Sequence, residues 1–164
     1  MTITEALLPE YDHEMGTARK LLERLPDASL GWKPHEKSMA LNRLATHLAE
    51  LPAWGSSIIE RDVFEMSGDY KPTVLGSKAE ILKVFDENAA AARATIAAKS
   101  DAELLSTWTF KHGGQVVLSM PKAAVVRLWL LNHFIHHRGQ LSVYLRLLNV
   151  PLPSIYGPSA DESA

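Results

Sequence analysis

Two histidines one helical turn apart carry the clearest chemical pattern in the sequence. His133 and His137 lie in the segment 121–148, whose apolar residues recur at three- and four-residue intervals, as they do in a helix. At about 100° per residue, both histidines fall on the apolar face of that helix, where leucine or phenylalanine is usual. A buried imidazole without a partner costs about 1 to 3 kcal/mol. Two histidines at i and i+4 instead suit a shared divalent metal ion, as in zinc-binding helices.

A third ligand is expected from a facing helix, because metal sites in proteins usually have at least three protein ligands. His47 is the other histidine that lies at the centre of an apolar helical face. The sequence therefore predicts a metal site formed by His47, His133 and His137. Three neutral imidazoles would leave at least one coordination position open, as in catalytic zinc sites.

Several other polar residues lie near the predicted site. His136 follows His133 by three positions, so these two residues form an alternative ligand pair. Gln140 and Tyr144 continue the same face, where each either orients a ligand or substrate or packs in the core. Arg138 points off the face, toward either a salt bridge or an anionic cofactor.

Composition limits the class of protein. The chain has 164 residues, 46% hydrophobic and 22% charged, which favours a single globular domain over 1–164. Its net charge is −2 and its basic residues are scattered, which argues against nucleic acid as a partner. The absence of cysteine excludes disulfides, thiolate metal ligands and a cysteine nucleophile. No secretory signal or membrane-spanning stretch is visible, so a cytoplasmic protein without membrane contact is expected.

Four amphipathic helices are predicted, and together they indicate an all-α fold, an antiparallel four-helix bundle. The four segments are 2–25, 38–66, 77–98 and 121–148. Thr2 or Thr4 can cap the first helix, Ser38 the second, and Ser77 with Glu80 the third. On the first helix His13 and Glu14 are expected at the surface, as is His35 in the loop that follows it.

The connections between the helices have distinct compositions. Residues 67–77 are rich in turn formers. The segment 107–120 alternates around Gly113 and Gly114, which predicts a short β-hairpin between the third and fourth helices. The tail 149–164 contains too much proline and glycine for regular structure. A second apolar face on the fourth helix suggests burial against another subunit or under the hairpin or tail.

These residues together resemble the DinB-like family of four-helix metalloproteins. The resemblance covers nearly the whole chain and lies in LATHLAELPAW, NHFIHHRGQLSVYLRLL and the closing PLPSIYGPSADE. It implies one divalent transition-metal ion bound by His47, His133 and His137. Nickel or zinc is expected first, with iron or manganese as further options, and the family resemblance also implies a homodimer.

The resemblance implies several functions without choosing among them. Relatives in the wider superfamily include thiol-dependent S-transferases and a mycothiol-dependent maleylpyruvate isomerase. The leading expectation is a metal-dependent enzyme that transfers a low-molecular-weight thiol to a small electrophilic substrate. The alternatives are a metal-dependent hydrolase and a non-catalytic metal-binding protein of the stress response, in which the ion only holds the helices together.

Overall fold

The computed structural model describes residues 1–66 and 71–163, and in this part the chain is mostly helical with a small three-stranded sheet. The helices are α1 (Ile3–Leu22), α2 (Leu41–Glu60), α3 (Lys78–Ala97), α4 (Asp101–Leu105), α5 (Lys122–Val125) and α6 (His133–Leu147). The strands are β1 (Val63–Met66), β2 (Thr107–His112) and β3 (Gln115–Pro121). None of the described helices is long and apolar enough to cross a bilayer.

The helix starts confirm two of the three predicted caps. Thr2 and Glu5 form a reciprocal capping box at the start of α1. The Ser77 side chain accepts a hydrogen bond from the Glu80 amide at 3.2 Å. Each cap satisfies an amide that has no partner within the helix.

The predicted cap of the second helix is wrong. This helix begins at Leu41 after Ala40, and no side chain caps it. The Leu41 amide instead donates to the carbonyl of Trp32 at 2.9 Å. The preceding loop therefore folds back and performs the role that was predicted for Ser38.

The second helix is also shorter than predicted. It ends at Glu60, and Val63–Met66 form a strand that pairs in parallel with β2. Lys122 donates to the carbonyl of Ile59 at 2.9 Å and pairs with Asp62 at 2.8 Å. A cation at the last turn favours ending the helix there. The predicted hairpin is thus two strands of a mixed sheet with the order β1-β2-β3.

The remaining connections agree with the sequence where they are described. Strands β2 and β3 are antiparallel, and the turn between them uses Gly113 and Gly114 at φ +57° and +77°. These positive φ angles favour glycine because it lacks a Cβ atom. The tail has no helix or strand over 150–163. Within the predicted connection 67–77, residues 67–70 lie outside the described residues.

The predicted fourth helix is helical from Lys122 to Leu147 but is not a uniform α-helix. Its middle, Val126–Asn132, is a π-helical segment between α5 and α6. The i→i+5 hydrogen bonds of a π-helix widen each turn and rotate the residues that follow. Leu128 and Leu131 belong to the predicted second apolar face of this helix, and Leu131 is fully buried inside the chain whereas Leu128 remains 44% exposed. The second apolar face predicted from uniform α-helical spacing is therefore divided.

The long helices pack around one hydrophobic core. Helix α2 contacts α3, α6 and the π-helical segment, and α1 contacts α3 and α6. The approach of α2 to the π-helical segment depends on Gly55, which faces the fully buried Leu130. A Cβ atom at position 55 would lie 2.6 Å from Leu130 Cδ2.

We predict that Gly55→Ala lowers the free energy of unfolding by about 1 to 2 kcal/mol. Overpacking costs about 1 to 3 kcal/mol, which exceeds the roughly 0.5 to 1 kcal/mol that alanine gains over glycine in a helix. The urea midpoint measures the change. Gly16→Ala in α1 is the matched control, because nothing lies within 4 Å of its added Cβ atom, and it should be stabilising. In a Leu130→Ala background Gly55→Ala should no longer destabilise, and an unchanged cost there would contradict the steric explanation.

Candidate metal centre

Three histidine rings from two helices meet in the interior. The Nε2 atom of His133 lies 2.8 Å from that of His137 and 3.4 Å from that of His47. One nitrogen from each ring lies within 4.8 Å of the other two. Nitrogens bound to one ion at 2.0 to 2.1 Å are separated by about 3 to 3.5 Å in tetrahedral geometry. The three histidines can therefore hold one metal ion.

The fold brings these side chains together through a few local features. His47 lies in the middle of α2. His133 is the first residue of α6, directly after the π-helical segment, and His137 follows one turn later. A π-helical segment frequently marks a functional site, because it changes which side chains share a face.

One of the rings has an oxygen acceptor that fixes its orientation. His137 Nδ1 donates to Oε1 of Gln140 at 2.7 Å. The backbone of Trp129 raises the pKa of His133, against the larger effect of burial, which lowers it. His47 Nδ1 is buried and has no hydrogen-bond partner in the described part of the chain. Hydrogen bonds of this kind hold metal-binding histidines in one tautomer.

Burial favours the neutral form of all three imidazoles. His137 is 8% exposed, and His47 and His133 are partly buried. Burial, followed by the charges of His137, His133 and Arg43, lowers the pKa of His47 to about 4. Burial also lowers the pKa of His133 and His137, against the hydrogen bonds from Trp129 and Gln140 that raise it. A neutral imidazole is the form that binds a metal ion.

These observations fit a cation at the centre of the three rings. The proton on Nδ1 of His137 leaves its Nε2 lone pair facing Nε2 of His133 at 2.8 Å. A lone pair in this position can accept a ring proton or bind a metal ion. The lowered pKa values of both rings favour the neutral forms that a divalent ion requires.

The other residues considered from the sequence take different places. His136 is exposed, and its ring contacts His137 at 4.9 Å without joining the cluster, so the alternative pair does not form. Tyr144 packs edge-on against Trp32 at 5.7 Å. Gln140, whose packing and orienting roles were both open, orients His137. Trp54 lies 6.1 Å from the His47 ring and 6.4 Å from the His133 ring, and forms an apolar wall.

Arg138 and Glu14 form a buried ion pair, so the expectation that Glu14 is exposed was wrong. Arg138 is 1% exposed and Glu14 is 4% exposed. Arg138 also donates to Thr17 at 2.6 Å and to the Tyr156 hydroxyl at 2.7 Å, and that hydroxyl donates to Glu14 at 2.8 Å. The salt bridge considered for Arg138 is therefore present, and it joins α6 to α1 and to the tail.

Sequence reasoning missed one charged residue beside the cluster. Arg43 lies one turn before His47 on α2, and its charge helps to lower the pKa of His47 and His137. The spacing of Arg43 and His47 gave a signal, because residues i and i+4 share a helical face. The predicted helix start at Ser38 placed Arg43 further inside the helix, whereas the structure has it in the first turn of α2.

The chain is similar in sequence to known proteins. It is 28% identical over 163 residues to the uncharacterized protein YrdA of Bacillus subtilis, covering 96% of this chain and 90% of that protein. A model of the DinB family matches residues 2–164.

Solved structures with a similar fold are also DinB-like proteins. One from Bacillus cereus superposes with a TM-score of 0.72 at 24% identity, covering 93% of this chain and 97% of the other. YjoA from Bacillus subtilis gives a TM-score of 0.71 at 17% identity, covering 92% and 96%. At these identities the likeness shows the fold alone. Because the family model spans nearly the whole sequence, the chain belongs to the DinB family.

Proposed function

We propose that this protein binds one divalent transition-metal ion through His47, His133 and His137 and acts as a metal-dependent thiol transferase. The convergence of three neutral imidazole nitrogens supports this proposal most strongly. Nickel or zinc is the proposed ion, because imidazole nitrogen suits both metals. The proposal places the ion inside an antiparallel four-helix bundle formed by α1, α2, α3 and the helix from Lys122 to Leu147.

The donor set suits a reaction at an open coordination position. A divalent ion bound there would lower the pKa of a thiol ligand and make its sulfur available as a nucleophile. The sulfur forms a carbon–sulfur bond with the electrophile, the leaving group departs with its bonding electrons, and the thiol proton passes to solvent. Histidine ligands contribute no negative charge, so such a site favours an anionic ligand.

The chain's own residues position the reactants. Gln140 keeps the proton of His137 on Nδ1, at 2.7 Å, so that Nε2 remains available. The Trp54 ring lies 6.1 Å from that of His47 and 6.4 Å from that of His133, where it would form an apolar wall of the site. An apolar wall limits access of water, which strengthens the electrostatic interactions within a site.

The first prediction from this proposal concerns metal content. Each of His47→Ala, His133→Ala and His137→Ala should reduce bound metal from one ion per chain to well below one, because two imidazoles hold an ion poorly. Elemental analysis after dialysis against zinc or nickel measures this, using protein without a histidine tag. His35→Ala is the matched control, since His35 is exposed and lies outside the cluster. Full metal content in the His133→Ala variant would overturn the proposed site.

Gln140→Leu should give a graded effect in the same experiment. Loss of the oxygen that orients a metal-binding histidine typically weakens affinity by about 10- to 100-fold. The variant should therefore fill at high metal concentration and lose its ion to a competing chelator sooner than the wild type. Unchanged affinity would assign Gln140 a packing role only.

The second prediction concerns turnover. The metal-loaded protein should accelerate consumption of a small thiol with a chlorodinitrobenzene-type electrophile, and the metal-free protein and His137→Ala should not. Absorbance of the conjugate measures the rate. Metal-dependent cleavage of ester substrates without thiol transfer would indicate a hydrolase. Absence of both activities, with no exchangeable solvent ligand on the ion, would support a non-catalytic metal-binding protein.

The third prediction concerns pH. The folded pKa of His47, about 4, lies below the unfolded value of about 6.5. The unfolded chain therefore binds this proton more tightly, and the stability of the metal-free protein should be full above pH 6.5 and fall as pH drops toward 4. Urea unfolding at pH 7.5 and 5 measures the loss. The loss should be smaller in His47→Leu, and an equal loss in both proteins would contradict the prediction.

A further inference from the structure

Arg43 is a partly buried cation beside the histidine cluster without a hydrogen-bonded partner. Its side chain is 17% exposed, and its Nη1 atom is fully buried with no hydrogen bond to any residue that the structure describes. Glu50 is the closest carboxylate, at 4.0 Å, and it lies beyond hydrogen-bonding distance. A buried guanidinium nitrogen without a partner bears the full cost of its desolvation.

The other arginines of the chain show how unusual this is. Six of them donate hydrogen bonds to carboxylates, and one of these, Arg138, is more deeply buried than Arg43. Arg61 is exposed. Arg43 is therefore largely buried and carries an N–H donor without an acceptor, within one helical turn of His47.

The charges around the histidine cluster also favour an anionic ligand. No carboxylate contributes to the pKa shifts of His47, His133 or His137, whereas Arg43 contributes to two of them. With a divalent ion bound, the site would contain two positive groups, the ion and Arg43. The carboxylate of Glu50, 4.0 Å from Arg43, would balance them only in part. Such an uncompensated positive site attracts an anionic ligand.

We propose that Arg43 binds a carboxylate group of the substrate while the reacting end of the same molecule faces the three histidines. A carboxylate matches the planar fork of a guanidinium and would supply the acceptor that Nη1 lacks. Glu50, at 4.0 Å, is the resting counter-ion that the incoming carboxylate replaces. The inference rests on the proposed metal site and defines its substrates as small carboxylate-bearing molecules, including carboxylate-bearing thiols.

Ligand binding to the cobalt-loaded protein tests this without relying on turnover. Cobalt(II) reports a sulfur ligand through its absorption spectrum. The probes are 3-mercaptopropionate and its neutral amide, which differ only in the carboxylate. We expect the wild type to bind the carboxylate at least about tenfold more tightly than the amide, since hydrogen bonds to charged groups are the stronger class.

Arg43→Gln should remove this preference while retaining cobalt, and Arg43→Lys should retain part of it. Arg93→Gln is the matched control, because Arg93 is half-exposed and already bonded to Asp12. Equal binding of the two thiols by the wild type, no binding of either, or a preference that persists in Arg43→Gln would overturn the proposal. Failure of the wild type to take up cobalt would instead overturn the metal site itself.

Glu50→Gln is expected to increase ligand binding, a result that a misfolded variant would not give. Removing the counter-ion leaves Arg43 fully available, so 3-mercaptopropionate should bind more tightly than to the wild type and the amide should not. A gain of affinity confined to the charged thiol supports the proposal. Unchanged or weaker binding of the charged thiol would show that Glu50 does not compete for Arg43, and would overturn this arrangement.

Discussion

The close approach of three buried imidazoles is the constraint on which the rest of the site depends. Burial favours the neutral forms of His47, His133 and His137, and Gln140 accepts the Nδ1 proton of His137. The Nε2 lone pair of His137 is then directed at Nε2 of His133, 2.8 Å away. Neutral nitrogens converging in this way are what a divalent cation would require of the site.

The framework that holds the rings close together is built around α6. The π-helical segment Val126–Asn132 sets the rotation of the helix just before His133. One residue after His137, the Arg138–Glu14 pair joins α6 to α1. A buried ion pair contributes little net stability compared with apolar packing, but removing one partner costs about 3 to 5 kcal/mol. The pair therefore fixes the helix position more than it adds to the overall stability.

Much of the fold and the histidine site follows from periodicity alone. The three ligand candidates lie on apolar faces, and a buried polar residue repeated at i and i+4 is a signal that local sequence contains in full. Features that depend on distant partners were not accessible in this way. Strand β1 forms because β2 offers an edge to Val63–Met66. Glu14 is buried because Arg138, 124 positions away, lies opposite it. A helical wheel contains no information about either partner.

The two arginines near the site show why the same limit applies to function. From sequence, Arg138 adjoins His137 and is expected to form either a salt bridge or a contact with an anionic cofactor. In the structure its charge is already matched by Glu14, whereas Arg43 lies 4.0 Å from its nearest carboxylate. A cation beside a metal ion opposes binding of that ion, since like charges repel. With the proposed ion bound, Arg43 would therefore be unfavourable in two ways, because its own charge is desolvated and because it weakens binding of the ion. An anion in contact with both Arg43 and the ion would offset both effects.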